Sequence, residues 1–494
     1  MNPNEEQKFE SLDPENWEEM RELAHQVVDD ALDYLQNIRQ RPVWQRVPED
    51  VKQHLAEEAA RTPTDPAEVY ADFKQNILPY TMHTSHPLFW SWYMGSGSVM
   101  GALADFMAAV LNPNLGGGNH VAPLVESQVI GWMRNMLGMP DDASGLLTSG
   151  ASMANFTALA VARNTNCGYD VRREGVQAAA GPITVYASTE VHSCNQKAVE
   201  TLGLGTRGMR YVPVNEDYTI DLQALQQKVA EDRAAGMIPF CVIATAGTIN
   251  TGAIDDMNAI ADFCRSEKLW FHVDGAIGAV GILADNVKDQ LTGIERADSI
   301  ALDLHKWMHI PFEAGCVLVR DRTAHFDSFS LIPEYLQRDA AAGGLASGSL
   351  WFSDYGLQLT RQFRALKVWI SIKEHGLDRL GRMMARNVEQ AHYLGKRVEE
   401  TPDLELTAPI GLDIVCFRFN PGGMGDDVLN KLNQSILIAL QEKGIAAPSY
   451  TTLRGVYCLR AAISNHRSRF EDFDVLVKEV VNLGNLLGAA MRAN

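Results

Sequence analysis

One alternation dominates what this chain can fold into. Between residues 101 and 376, short β-rich apolar runs recur at 183–187, 240–246, 269–274, 299–304 and 316–319. Stretches with helical periodicity lie between them, at 152–163, 222–235 and 257–268. A strand that is apolar on both sides must be covered on both faces, and a helix between successive strands supplies the cover. The pattern predicts an α/β architecture with a mostly parallel sheet and right-handed crossovers. Ligands in such sheets bind beyond the carboxyl ends of the strands. Residues with chemistry to perform are therefore expected immediately after the apolar runs.

The flanks read differently. Residues 17–37 carry Met20, Leu23, Val27, Val28, Ala31, Leu32 and Leu35 at helical spacing, and Pro42 ends the pattern. Residues 1–100 thus form a helical segment with too little apolar surface for a core of its own, expected to pack across a dimer. Residues 101–376 form the large domain. Residues 377–494 open with a long helix and continue as a smaller α+β domain with a strand at 414–419, a helix near 428–440 and a strand at 456–459.

Composition narrows the partners. Lys and Arg number 43 against 62 Asp and Glu, a formal charge of −19. Such a chain repels phosphate backbones and anionic lipid, so neither nucleic acid nor a membrane surface is expected. No run approaches 18 apolar residues, and the acidic start lacks the apolar region of a signal peptide. Seven scattered cysteines without a CxxC fit reduced thiols in a cytoplasmic protein.

The chemistry-bearing residues do follow the strands. His305-Lys306-Trp307 comes after the run at 299–304. A lysine at the buried end of a strand is costly unless it is paired, neutralised or covalently used. Phe271-His272-Val273-Asp274-Gly275-Ala276 ends another run, with small residues after Asp274 that let a flat ligand approach. A cofactor with an aldehyde and a pyridine nitrogen needs this pair, the lysine for a Schiff base and the acid for the ring. Opposite charges about 4 Å apart at an effective dielectric near 20 interact by roughly 4 kcal/mol. That is about three pKa units, enough to keep a pyridine protonated at neutral pH. Thr148-Ser149-Gly150-Ala151-Ser152-Met153-Ala154-Asn155 precedes a helical run, where free N–H groups suit a phosphate. His192 follows the run at 183–187 and offers a ring to stack on a planar group.

In this order the motifs resemble the group II pyridoxal 5'-phosphate (PLP)-dependent decarboxylases of fold type I. That family includes aromatic-L-amino-acid, glutamate, histidine and cysteine-sulfinate decarboxylases. The resemblance runs from about Pro42 to the C-terminus. It also includes His86-Pro87-Leu88-Phe89, Thr245-Ala246-Gly247-Thr248, Pro333-Glu334-Tyr335-Leu336 and the stretch RQFRALKVW beginning at Arg361. The resemblance implies a seven-stranded-type sheet and a homodimer whose sites are shared between subunits. Lys306 looks like the Schiff-base lysine, and Asp274 like the partner of the ring nitrogen. Ala276 and His192 look like the residues on the two ring faces, and Ala151 and Ser152 like phosphate ligands with His305 nearby. Thr248 looks like a further cofactor contact. Tyr335, in a catalytic loop at 329–348, looks like the acid that protonates the carbanion after CO2 leaves.

Two departures stand out. Many relatives have asparagine where this chain has Asp303, which sets an acid beside the phosphate site. Ile249 replaces a second threonine after Thr248. The expected substrate wall holds Trp90, Trp92, Tyr93 and Met94 together with Asn112-Pro113-Asn114. Among these, Trp92, Tyr93, Asn112 and Asn114 are the candidate substrate residues. The aromatics favour a flat side chain and hence an aromatic amino acid. The asparagines leave open a polar substrate of the glutamate, aspartate or diaminobutyrate type. A transaminase, a C–C lyase and an inactive binding scaffold are the remaining readings. No metal is expected, because the His305/His309 pair lacks the glutamate of HExxH. Leu115-Gly116-Gly117-Gly118 lacks dinucleotide-binding spacing, and no GxSxG elbow supports a serine hydrolase.

Overall fold

The computed structural model describes residues 11–331, 343–348 and 350–493. Its twelve described strands form two sheets. In chain order they are β1 (Phe89–Trp90), β2 (Ser144–Thr148), β3 (Ile183–Ser188), β4 (Met209–Val212), β5 (Ile238–Thr245) and β6 (Trp270–Asp274). Then come β7 (Ser299–Asp303), β8 (Gly315–Val319), β9 (Leu404–Leu406), β10 (Ile414–Phe419), β11 (Ala447–Leu453) and β12 (Val456–Ala462). The large sheet has seven strands in the order β2-β8-β7-β6-β5-β3-β4. The neighbours from β4 through β7 pair in parallel, while β8 runs antiparallel to both β7 and β2. The sheet is mostly parallel, as the alternation requires.

Strands β2, β6, β7 and β8 are buried at every position. The alanine-rich helix Ala151–Asn166 crosses β5 through β8, and its small side chains allow close approach. Two strands of the large sheet escaped the sequence pattern. In β2, Ser-Gly-Leu-Leu-Thr has only two large apolar residues, and β4 is an edge strand that leaves Tyr211 exposed.

The smaller sheet, in the order β1-β11-β12-β10-β9, carries the C-terminal core with the helices Leu377–Glu399, Asp426–Glu442 and Phe470–Ala493. Its edge strand β1 comes from the N-terminal segment and pairs in parallel with β11. The first hundred residues are therefore divided. Phe89–Trp90 belongs to the C-terminal sheet, whereas the helix Trp17–Gln36 buries none of its residues.

The cations of RQFRALKVW tie these layers together. The guanidinium of Arg361 donates to Glu126 Oε1 at 2.5 Å and Oε2 at 3.0 Å, and to the carbonyls of Leu115 and Leu147. Both side chains are almost wholly buried. Arg364 pairs with Glu313, and Lys367 with Asp105 and the Phe312 carbonyl. Removing one member of a buried pair strands the other charge, typically at about 3–5 kcal/mol. Arg361→Met should therefore lower the thermal unfolding midpoint sharply. Arg361→Met combined with Glu126→Gln should recover part of the loss, and differential scanning calorimetry of the two variants checks this.

Candidate active site

A cavity of about 650 Å³ opens at the carboxyl ends of the central strands. Four chain segments build it. After β2 the chain turns through Ser149 and Gly150 into the helix Ala151–Asn166. Gly150 lies against Gly315, where a Cβ would come within 2.5 Å of the Gly150 Cα, so the first residue of β8 has to be glycine. After β3, His192 caps the helix Ser193–Thr201. Strand β6 ends on Asp274, and β7 ends on Asp303 just before His305 and Lys306.

The cavity brings together Ala151, Ser152, His192, Asp274, Ala276, His305 and Lys306, seven of the expected cofactor residues. Lys306 Nζ lies 3.0 Å from Asp303 Oδ2. His305 is anchored through Nδ1 to the Ala314 backbone at 3.1 Å, and its burial lowers its pKa. His192 Nδ1 accepts the Cys194 N–H at 3.2 Å, so the neutral ring carries its proton on Nε2. Desolvation pulls the His192 pKa below the ordinary value, partly offset by Asp274.

Asp274 ends a hydrogen-bond relay whose direction chemistry settles. Its Oδ2 accepts from Asn155 Nδ2 at 3.1 Å and from Asn195 Nδ2 at 2.7 Å. Since the Asn155 amide nitrogen faces a carboxylate, its oxygen faces His272 Nε2 at 2.8 Å and accepts from it. Burial pushes the His272 imidazole down to about 4, so the ring is neutral and Nδ1 accepts from Ser299 Oγ at 2.9 Å. Ser299 in turn accepts from Trp270 Nε1 at 2.8 Å. Every donor points toward Asp274, an arrangement in which each bond polarises the next. Asn195 Oδ1 has no partner among the described residues. Turning that amide over would set oxygen against carboxylate, so the orientation serves Asp274.

Other expected residues lie elsewhere. The Thr248 hydroxyl is held in its own turn, 2.9 Å from Thr251 Oγ1 and accepting the Ala253 N–H. Tyr93 is buried in the core and donates to Asp413 at 2.9 Å. Burial pushes the Asp413 carboxyl up to about 7. Trp92 is exposed with a positive φ, Asn112 is the left-handed cap of the helix Val99–Leu111, and Asn114 Oδ1 accepts from the Gly116 and Arg361 N–H groups. None of these four lines the cavity. Tyr335 lies outside the described residues.

The structure adds Ser149, Cys194, Phe312 and Glu313 to the cavity wall, and Asn155 and Asn195 beneath it. Phe312 packs beside the His305 ring at 4.6 Å between centroids. Burial pushes the Cys194 thiol up to about 12, which keeps it protonated. Asn155 closed a recognisable motif, but nothing in the sequence ties Asn195 to Asp274, 79 positions away.

The donor set fits PLP. An amine and a carboxylate share one cavity, small residues leave room for a flat ring, and a helix start whose own N-cap, Gly150, has no side chain faces the same space. The family model for the pyridoxal-dependent decarboxylase conserved domain matches residues 48–420. An aromatic-L-amino-acid decarboxylase of Bacillus atrophaeus is 35% identical over 465 residues, covering 92% of this chain and 93% of that protein. Tyrosine decarboxylase 2 of Narcissus pseudonarcissus is 30% identical, covering 92% and 91%. The structure of Oryza sativa TDC with PLP and tryptamine superposes with a TM-score of 0.89 over 97% of this chain and all of that one, at 24% identity, and so shares the fold. On its sequence, its fold and the contents of its cavity, this chain belongs to the pyridoxal-dependent decarboxylases.

Proposed function

We propose that the chain converts an aromatic L-amino acid to its amine and CO2, with Lys306 carrying PLP and Asp274 holding the ring nitrogen. The observation that carries this reading is the meeting of the Lys306 amine and the Asp274 carboxylate in one cavity. The aromatic preference rests on relatives named for aromatic substrates and on the Phe312 ring in the cavity wall.

When bound, PLP supplies the sink for the electron pair that CO2 leaves on Cα. The chain's own residues orient and protonate. Ala151 and Ser152 hold the phosphate at the start of their helix. Ala276 would pack on one face of the ring and the neutral His192 ring on the other. The relay through Asn155 keeps Asp274 from turning away from the ring. Tyr335 is the proposed acid that delivers a proton to Cα.

The second copy in a homodimer covers the apolar surface this chain leaves open. The helix Val99–Leu111 buries only Gly101 and Ala104, leaving Leu103, Phe106, Met107, Val110 and Leu111 exposed. A contiguous apolar face of that kind marks an interface. Asn112 and Asn114 sit at the exposed end of this helix, so a substrate role for them belongs to the neighbouring copy's cavity. A cytoplasmic location fits the seven free, buried thiols. No helix among the described residues is long and apolar enough to cross a membrane.

A panel of L-amino acids, including dihydroxyphenylalanine and 5-hydroxytryptophan, should yield equal CO2 and amine from an aromatic member. Turnover confined to glutamate, aspartate or diaminobutyrate would move the substrate to the polar class, and a keto-acid product would point to transamination. Tyr335→Phe should cut amine formation by about 10²–10⁴-fold, the usual contribution of a general acid. CO2 release should continue, with aldehyde and ammonia appearing in air. Amine and CO2 falling together would mean Tyr335 only anchors its loop. Sedimentation velocity at micromolar concentration should find a dimer, and an active monomer would refute the shared interface.

A further inference from the structure

Asp303 closes β7 three residues before Lys306, and its carboxylate is buried in the cavity wall. Oδ1 accepts the backbone N–H of Ala151 at 2.6 Å. Oδ2 lies 3.0 Å from Lys306 Nζ and 3.8 Å from His305 Nε2. A single side chain thus engages both anchors that the reading above gives to the cofactor, the amine and the helix start. We propose that Asp303 is an internal anion that competes with the cofactor phosphate for the N-terminus of the helix Ala151–Asn166, and so sets how tightly the site holds PLP. This rests on the assignment of Ala151 and Ser152 to the phosphate.

The geometry makes the competition specific. A helix start offers a few unsatisfied N–H groups and the positive end of its dipole. Gly150 has no side chain with which to cap them. Asp303 fills the role of a capping carboxylate from a neighbouring strand, satisfying the first N–H of the helix. A phosphate arriving at the same N–H meets a carboxylate at hydrogen-bond range, and like charges that close repel strongly in a buried site. Asparagine has the same shape without the charge, and its amide can donate to a phosphate. It also leaves the Lys306 amine without its carboxylate partner, which favours an incoming anion further. A ligand without the phosphate gains neither advantage.

The test separates phosphate from ring. Lys306→Ala removes covalent capture, so binding reports non-covalent contacts alone. In that background, tryptophan fluorescence titrations compare Asp303 with Asp303→Asn for PLP, pyridoxal and inorganic phosphate. Asp303→Asn should tighten PLP by roughly ten-fold or more, leave pyridoxal within about two-fold, and make inorganic phosphate the better competitor. Asp303→Ser, with circular dichroism on every variant, guards against a folding artefact and should give the same selectivity. Unchanged or weaker PLP binding overturns the proposal, as does an equal gain for pyridoxal. Failure of the underlying reading looks different. The unsubstituted protein would then bind no PLP and show no visible band removable by borohydride, and the proposal would fall with it.

Discussion

The chemistry of this chain depends on the parallel ladder between β6 and β7. Its register sets His272 opposite Ser299 and Asp274 opposite Ala301. Alternation along β6 then places Trp270, His272 and Asp274 on one face of the strand. That is why the relay can run along β6 and cross to Ser299 midway. A slip of one residue would turn all three side chains to the opposite face and leave a carboxylate without donors. The same strand carries Asp303 to the cavity, so Lys306 emerges beside Asp303 and the start of the helix Ala151–Asn166, in the cavity that Asp274 also lines.

The relay also gives the site its stiffness. Each member is buried, and most of their polar atoms are committed to the next group in line. The unpaired Asn195 oxygen is the exception, and it is tolerated because the amide nitrogen has a charged acceptor. Hydrogen bonds to ionised groups are roughly twice as strong as neutral ones. The polar core beneath the cavity is therefore organised around one charge rather than around packing, which suits a residue that must hold its bearing while a ligand is bound and released.

Much of this was legible in the sequence, for a physical reason. Strands buried on both faces print as apolar runs, and groups displayed at strand ends print immediately after them. Asp274 and Lys306 could thus be read directly. Strand β4, exposed at the sheet edge, carries no such mark. Asn195 reads as an ordinary helix residue, since its purpose arises only when two strand–helix units are brought together. The aromatics of the expected substrate wall show the converse. Trp90 stacks on Phe473 at 4.9 Å and donates to Ser468, while Tyr93 reaches Asp413 across 320 residues. Local sequence cannot distinguish a ring facing a ligand from one facing a distant part of its own core.

The two-residue strand β1 has a temporal consequence. Phe89 pairs with Ala447, about 360 residues later in the chain. Translation at roughly 5–20 residues per second puts about 20–70 s between the two. Throughout that interval Phe89 and Trp90 have no sheet to join, and both end up buried. The seven-stranded sheet, whose last strand ends at Val319, has all its residues long before then. The large sheet therefore has its strands while an apolar leader waits in front of it, and both the core beneath it, which takes in Leu453, Cys458 and Ala462, and the second sheet close only when synthesis is nearly complete.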